Sequence, residues 1–354
     1  MKCEWHGLGV MSGTSLDGLD LAVCKFVKKD SHWTYDIEDA ITIAYPKTIV
    51  EKLVSATQMA AIDYALLDVE LGTFFANSIN SWLSNKIPID FIASHGHTIF
   101  HQPERGLTTQ IGSGAVLAAK TGITVVCDFR SKDVALGGQG APLVPIGDQL
   151  LFFNYDACLN LGGFSNISYN DGNKRIAFDI SPCNMALNFI ANKANLQYDT
   201  DGILATQGKI IDSLLYELNN LSYYKLPPPK SLGKEWFEEN IKPLLLLRLK
   251  NHRIEDVMRT ILEHITDKIS SNVPYECKTL LLTGGGTHNK FLVQLLRKKC
   301  TNTQIIVPDQ KIIDYKEALV FAFLGLLRLE KENNTLSSVT GAIKNSIGGC
   351  VYSF

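Results

Sequence analysis

Gly9-Val-Met-Ser-Gly-Thr-Ser-Leu-Asp-Gly-Leu-Asp20 lies between two apolar runs, Gly7 to Val10 before it and Leu19 to Val27 after it. An apolar run, a polar glycine-rich turn and a second apolar run read as two strands joined as a hairpin. A third β-type run, Tyr35 to Tyr45, follows. Helical spacing then sets in from Ile49 to Ala61 and from Tyr64 to Lys86, where apolar residues recur at i+3 and i+4. Phe91 to Ser94 and Ile123 to Phe129 are short apolar runs between glycines and polar residues, which suits buried strands.

The same order begins again in mid-chain. Ala157-Cys-Leu-Asn-Leu-Gly-Gly-Phe-Ser-Asn-Ile-Ser-Tyr169 is another strand, glycine turn and strand; Ile176 to Ile180 supplies a third strand and Met185 to Leu196 a helix. Thr279 to Leu282 is a strand ending on Thr283-Gly-Gly-Gly-Thr-His288, with a helix from Asn289 to Lys299. Ile305 to Val307 is a strand, and Lys316 to Leu329 a helix so apolar all round that burial is expected, with a place between domains as one option. Two copies of a βββ-then-α/β order, each opening on a Gly/Ser/Thr turn, point to an internal duplication.

The 354 residues suit about two domains at ~150 residues each. With 45% hydrophobic and 20% charged residues the chain can bury sizeable cores, which excludes disordered, collagen-like and coiled-coil classes. Lys plus Arg (34) against Asp plus Glu (36) gives a net charge of −2, so no bulk basic field attracts nucleic acid or an anionic membrane. The longest apolar runs, such as Leu319 to Leu327, are far short of the ~20 residues of a membrane span. Met-Lys-Cys-Glu-Trp-His6 has no apolar stretch of signal-peptide type. The 8 cysteines are scattered without CxxC spacing, several within apolar runs (Cys24, Cys127, Cys158), as expected of buried free thiols in a reducing, cytoplasmic compartment.

Glycine lets backbone N–H groups approach phosphate oxygens closely, and successive N–H groups form an anion nest. The first turn combines such glycines with hydroxyls that suit phosphate and carboxylates that suit the water shell of Mg²⁺. An ordinary hairpin loop is the competing reading. It is not a Walker loop, and no GxGxxG joins a strand to a helix. In Ser94-His-Gly-His-Thr-Ile-Phe-His101, His95 and His97 could form a metal pair with Asp128 or Asp179, as in a metal-dependent hydrolase. Imidazoles hydrogen-bonded in a strand-end loop are the favoured alternative. Arg130 follows the strand Ile123 to Cys127 and could grip a carboxylate or phosphate, or pair with Asp128 or Asp133. Asp179 ends the strand Ile176 to Phe178 just before a helix; it is a candidate general base, or a capping residue with Ser181 and Asn184. Asp199-Thr-Asp-Gly202 is no calcium loop, since Ile210 stands where the closing Glu belongs. Pro227-Pro-Pro-Lys-Ser-Leu-Gly-Lys234 reads as a stiff, ordered surface loop.

Together these segments resemble the bacterial 1,6-anhydro-N-acetylmuramic acid kinases. The ordered set is Gly9 to Gly18, Ser94-His-Gly96, Asp128-Phe-Arg130, Gly137-Gly-Gln-Gly-Ala-Pro-Leu-Val-Pro145 and Asn160-Leu-Gly-Gly-Phe-Ser-Asn-Ile167. It continues with Phe178-Asp179, Pro227 to Ser231, Thr283-Gly-Gly-Gly286, Lys316-Glu-Ala318 and Ser338-Val-Thr-Gly-Ala342. The resemblance implies a two-domain actin-like ATPase fold: a duplicated, ribonuclease H-like βββαβαβα unit with a cleft between domains. The expected N-terminal domain is 1–128 plus about 330–354, and the second is 129–329. It further implies ATP- and Mg²⁺-dependent phosphorylation of O6 with hydrolytic opening of the anhydro ring, giving N-acetylmuramic acid 6-phosphate in cytoplasmic peptidoglycan recycling, by a homodimer.

By the same resemblance Asp179 takes the position of the catalytic base. Gly13, Thr14, Ser15, Leu16, Asp17, Gly18, Leu19 and Asp20 match the first ATP phosphate turn, with Asp17 and Asp20 holding hydrated Mg²⁺. Gly162 and Gly163 match the second phosphate turn, and Gly284, Gly285 and Gly286 the stretch against the adenosine. Arg130 and Glu317 are candidates for sugar contact. After Phe178-Asp179 the family usually has Thr-Gly-Pro-Gly-Asn, where this chain has Ile180-Ser-Pro-Cys-Asn184; His97 replaces a usual Gln, and Leu232 a Thr. These departures keep two alternatives open: a homologue acting on a different anhydro- or amino sugar, and a catalytically silent nucleotide-binding regulator.

Overall fold

The computed structural model describes residues 3–14, 16–30, 32–83 and 87–354. It divides into two units, Met1–Leu151 with Tyr315–Phe354, and Phe152–Asp314.

In the first unit β1 (Glu4–Ser12), β2 (Leu19–Lys29) and β3 (His32–Ile43) form an antiparallel meander. β4 (Phe91–Gln102) then runs parallel to β1, β5 (Leu107–Ile111) folds back on β4, and β6 (Val125–Cys127) lies parallel to β4. The C-terminal strand Cys350–Tyr352 caps the β6 edge antiparallel. Among the described residues the sheet is 7-stranded, ordered from that strand through β6, β4, β1 and β2 to β3, with β5 branching off β4.

Both faces of this sheet are covered, which is why β1 and β2 read as near-continuous apolar runs rather than alternating ones. Leu8, Val10, Leu21 and Ile92 pack with Leu67, Leu71, Phe75 and Ile79 of the helix Ala61–Leu83. Helix Gln310–Leu329 belongs to this unit from Tyr315 onward, and its residues from Ala318 to Leu324 are at most 1% exposed. Its approach depends on Gly9: a Cβ there would lie 1.9 Å from the Ala318 carbonyl oxygen. Each fully buried Leu or Phe of such a helix contributes roughly 1.5–3 kcal/mol.

The second unit repeats the scheme. β7 (Ala157–Leu161), β8 (Phe164–Asp171) and β9 (Lys174–Pro182) form a meander, and β10 (Thr279–Thr283) and β11 (Gln304–Ile306) lie parallel beyond β7. Its order β11-β10-β7-β8-β9 matches β6-β4-β1-β2-β3 strand for strand. The expected duplication of a βββ-then-α/β unit is therefore present.

The structure also differs from the sequence reading. The run expected to stop at Ser94 continues to Gln102 and turns back as β5. Helix Ile254–Asn272, which buries Val257, Ile261, Ile265 and Ile269, had no counterpart in that reading. The unit boundaries fall at 151/152 and 314/315 rather than at 128/129 and about 329/330. Residues 130–150 stay with the first unit through polar ties. Asp133 accepts from Gly140 N–H and Thr340 Oγ1 at 2.8 Å each, and Lys316 Nζ pairs with the buried Asp148 at 2.7 Å.

Candidate active site

The first glycine turn spans the gap between Ser12 and Leu19, which face each other in register across β1 and β2. It is tight: Leu16 N–H donates to the Gly13 carbonyl at 3.2 Å, and Leu16 sits in the left-handed region with φ 62°. A non-glycine residue there is uncommon. Thr14 and Asp17 are exposed, and Gly13 and Asp20 are half-buried. Ser15 lies outside the described residues. Gly18 packs on β3, where a Cβ would come within 2.7 Å of Thr42. The Leu19 side chain is buried in the core, and its backbone stands in register between Ser12 and Ile43. Asp20 accepts from Thr42 Oγ1 at 2.6 Å, while Asp17 has no ion-pair or hydrogen-bond partner among the described residues. Two carboxylates on one turn, one of them unpaired, are a donor set that fits a hydrated Mg²⁺.

Beside the turn, the end of β1 carries a hydrogen-bonded chain. Tyr45 OH donates to Ser12 Oγ at 2.6 Å, and Ser12 Oγ lies 2.8 Å from His97 Nδ1. On the same strand as His97, His95 Nδ1 is 2.8 Å from the Gly96 carbonyl, so it carries the proton. His95 Nε2 then accepts from Arg130 Nε at 3.1 Å and Nη2 at 2.9 Å. Arg130 Nη1 donates to the Gly140 carbonyl at 2.6 Å.

Burial governs the charges here. It pulls the His95 imidazole well below its ordinary value, aided by the Arg130 guanidinium, and His97 down to about 4. Burial lowers Arg130 to about 10 against the pull of Glu317 and Asp133, and raises the Glu317 carboxyl against the pull of Arg130 and Lys316. Glu317 keeps solvent access all the same. Arg130 thus pairs with neither Asp128 nor Asp133 directly; Asp128 instead accepts from Ser131 Oγ at 2.5 Å and from Ser131 N–H at 3.3 Å. The metal pair is overturned: the Nε2 lone pair of His95 is occupied by Arg130, and no cluster of three or more His, Cys, Asp and Glu side chains that could hold a metal directly occurs among the described residues.

In the second unit the predicted glycines converge. β7 and β10 are parallel neighbours, so their carboxyl ends, Leu161 and Thr283, bring the turn at Gly162-Gly163 next to Gly284-Gly-Gly286. The fit is close: a Cβ on Gly284, which has φ 81°, would lie 2.4 Å from Asn160 Oδ1, and one on Gly286 2.8 Å from the Leu161 Cβ. Asn184 ties these turns to the end of β9, since its Nδ2 donates to the Leu161 carbonyl at 2.9 Å and its N–H to the Gly162 carbonyl at 3.0 Å.

Asp179 is half-buried on the edge strand β9 and is held by a segment far along the chain. Its N–H donates to the Lys230 carbonyl at 3.1 Å, its carbonyl accepts from Tyr223 OH at 2.6 Å, and its Oδ2 accepts from Leu232 N–H at 2.9 Å. Burial raises its carboxyl to about 6, more than the Leu232 N–H lowers it. A carboxylate poised near neutrality suits general-base work. Sequence reasoning missed Tyr45, Tyr223 and the Leu232 N–H; only the Pro227-to-Ser231 segment of the resemblance pointed toward the last two.

The family model described as anhydro-N-acetylmuramic acid kinase matches residues 6–354. Curated proteins of that name are similar over almost the whole chain. One from a Sulfurovum species is 37% identical, covering 98% of this chain and 98% of its own length. One from Vibrio vulnificus is 36% identical, with 98% of each covered, and one from Bacillus thuringiensis 32% identical, with 97% of each. The chain belongs to the anhydro-N-acetylmuramic acid kinase family.

Proposed function

We propose that the protein transfers the γ-phosphoryl group of ATP to O6 of 1,6-anhydro-N-acetylmuramic acid while water opens the anhydro ring. The products are ADP and N-acetylmuramic acid 6-phosphate. The observation that carries the chemistry is Asp179: a half-buried carboxyl near pKa 6, fixed from both sides of its peptide and at one carboxylate oxygen. Asp179 takes a proton from water as the water oxygen bonds to the anomeric carbon. The bond from that carbon to O6 breaks, and O6 bonds to the γ-phosphorus as ADP leaves.

Positioning and charge neutralisation dominate phosphoryl transfer. Gly13 to Asp20, Gly162 and Gly163 are assigned to the phosphates through backbone N–H groups, and Gly284 to Gly286 to the adenosine. Asp17 and Asp20 would hold Mg²⁺, which neutralises charge on the phosphoryl oxygens. Arg130 and Glu317 are assigned to the sugar. Recycling of cell-wall sugar places this work in the cytoplasm, and the active form is a homodimer. No helix among the described residues is long and apolar enough to cross a membrane.

The test is product analysis by mass spectrometry after incubation with ATP, Mg²⁺ and the anhydro sugar. A sugar product heavier by one phosphoryl group and one water is expected, abolished by Asp179→Asn or by chelation of Mg²⁺. ATP binding without any sugar product would refute the reading, and an active Asp179→Asn variant would remove Asp179 from it.

A further inference from the structure

We propose that His97 contacts the sugar, its Nε2–H donating to an uncharged sugar oxygen from a tautomer fixed by the Tyr45–Ser12 hydrogen-bond chain. The assignment deepens the kinase reading and rests on it for the identity of the ligand.

The tautomer follows from counting protons. Tyr45 is kept a neutral phenol, since burial pushes it up to about 12, and it gives its proton to Ser12 Oγ at 2.6 Å. Ser12 Oγ has one proton of its own and lies 2.8 Å from His97 Nδ1. If Nδ1 carried the ring proton, Ser12 Oγ would receive two donors and its own proton would have no acceptor among the described residues. Ser12 is 1% exposed, and a buried orphan donor costs about 1–3 kcal/mol. The consistent arrangement runs Tyr45 to Ser12 to Nδ1, which leaves the ring proton on Nε2.

That Nε2–H has no hydrogen-bond partner among the described residues, although His97 is only 4% exposed. An unpaired donor in a nearly closed position is a place for a ligand acceptor. His97 lies two residues along β4 from His95, the imidazole that receives Arg130, and so sits on the strand segment that carries the groups assigned to sugar. Burial also keeps His97 neutral down to about pH 4. A neutral imidazole N–H matches a hydroxyl, ether or amide oxygen of the sugar, the phosphates being assigned to the backbone N–H groups of the glycine turns.

Glutamine also offers a neutral side-chain N–H donor, and leucine fills similar space without one. His97→Leu is expected to raise the KM for sugar about 10-fold with the KM for ATP unchanged, whereas His97→Gln should stay within about 3-fold of wild type. A long-range ¹H–¹⁵N spectrum of the wild-type protein should show His97 protonated at Nε2, with that resonance moving as sugar is added. This spectrum decides the matter if a variant fails to fold. An Nδ1–H tautomer, an unmoved resonance on saturation with sugar, or a KM effect confined to ATP would overturn the proposal. Failure of the kinase reading looks different: no phosphorylated product from wild type, while sugar still shifts the His97 resonance. Product formation with an unmoved His97 sinks this inference alone.

Discussion

Asp179→Asn is expected to stabilise the protein while removing its activity, and to do so only where the wild-type carboxyl is ionised. Burial moves that carboxyl from 3.8 to about 6. A shift of about two units corresponds to ~3 kcal/mol of differential interaction between the protonation states. The folded protein holds this proton more tightly than the unfolded chain. Between 3.8 and about 6 the folded state therefore binds more protons, and stability falls as pH rises through that window. Above it the whole cost is present; below about pH 4 both states are protonated and the cost vanishes. Asparagine cannot ionise, and its amide oxygen can still accept from Leu232 N–H, so the variant escapes the cost.

The assay is the thermal midpoint of both proteins from about pH 4 to about pH 8, where each kcal/mol moves the midpoint by roughly 2–4 °C in a unit of this size. The curves should meet at the acid end, and the variant should melt several degrees higher at the alkaline end. In parallel, wild-type kcat should fall to about a tenth of its plateau near pH 5, because the base must be ionised to act. A variant that melts lower than wild type at about pH 8, or a difference independent of pH, would refute the argument that desolvation sets this carboxyl.

Gly9→Ala is expected to cost about 3 kcal/mol or more, read from chemical denaturation, because its Cβ would meet the Ala318 backbone 1.9 Å away under a buried helix. An unchanged midpoint would mean the helix can lift without loss. Cys183→Gly should destabilise by roughly 1–2 kcal/mol, since the thiol is fully buried in the core of the second unit and its removal leaves a void there. A stabilised variant would contradict that packing.

The strand order was legible because a glycine turn between two apolar runs is a local signal, and it occurs at both Gly13–Gly18 and Gly162–Gly163. β5 was not, because Leu-Thr-Thr-Gln-Ile111 takes its strand form from pairing with β4 rather than from its own composition. The three-residue strand Cys350–Tyr352 is likewise defined by its partner β6. Helix Ile254–Asn272 carried a readable stripe, Val257, Ile261, Ile265 and Ile269 at i+4 spacing, which the reading passed over. In the site, the glycines announce themselves by residue type. What holds Asp179 does not: Tyr223 and Leu232 stand 44 and 53 residues away along the chain, and one of the two donors is a backbone N–H that any residue but proline supplies.

The departure at Ile180-Ser-Pro-Cys183 shows which features of this site depend on side chains and which do not. Ser181 and Cys183 fill space under the glycine turn, with Ser165 Oγ donating to the Ser181 carbonyl at 3.1 Å and the Cys183 thiol buried in the core. The link to the turn is made by backbone: Cys183 N–H and Met185 N–H donate to the Gly163 carbonyl at 2.8 and 3.2 Å, and Asn184 N–H to the Gly162 carbonyl at 3.0 Å. Ala186 and Leu187 N–H groups both go to the Cys183 carbonyl at 3.0 Å. The leading N–H groups of helix Asn184–Lys193, which a helix ordinarily leaves open to an anion, are therefore all engaged. An anion bound in this unit cannot be held by that helix end. The Gly284 N–H is likewise engaged, donating to the Ile313 carbonyl at 3.3 Å, so the assignment of phosphate in this unit falls on the Gly162-Gly163 turn, whose carbonyls are committed to residues 183–185.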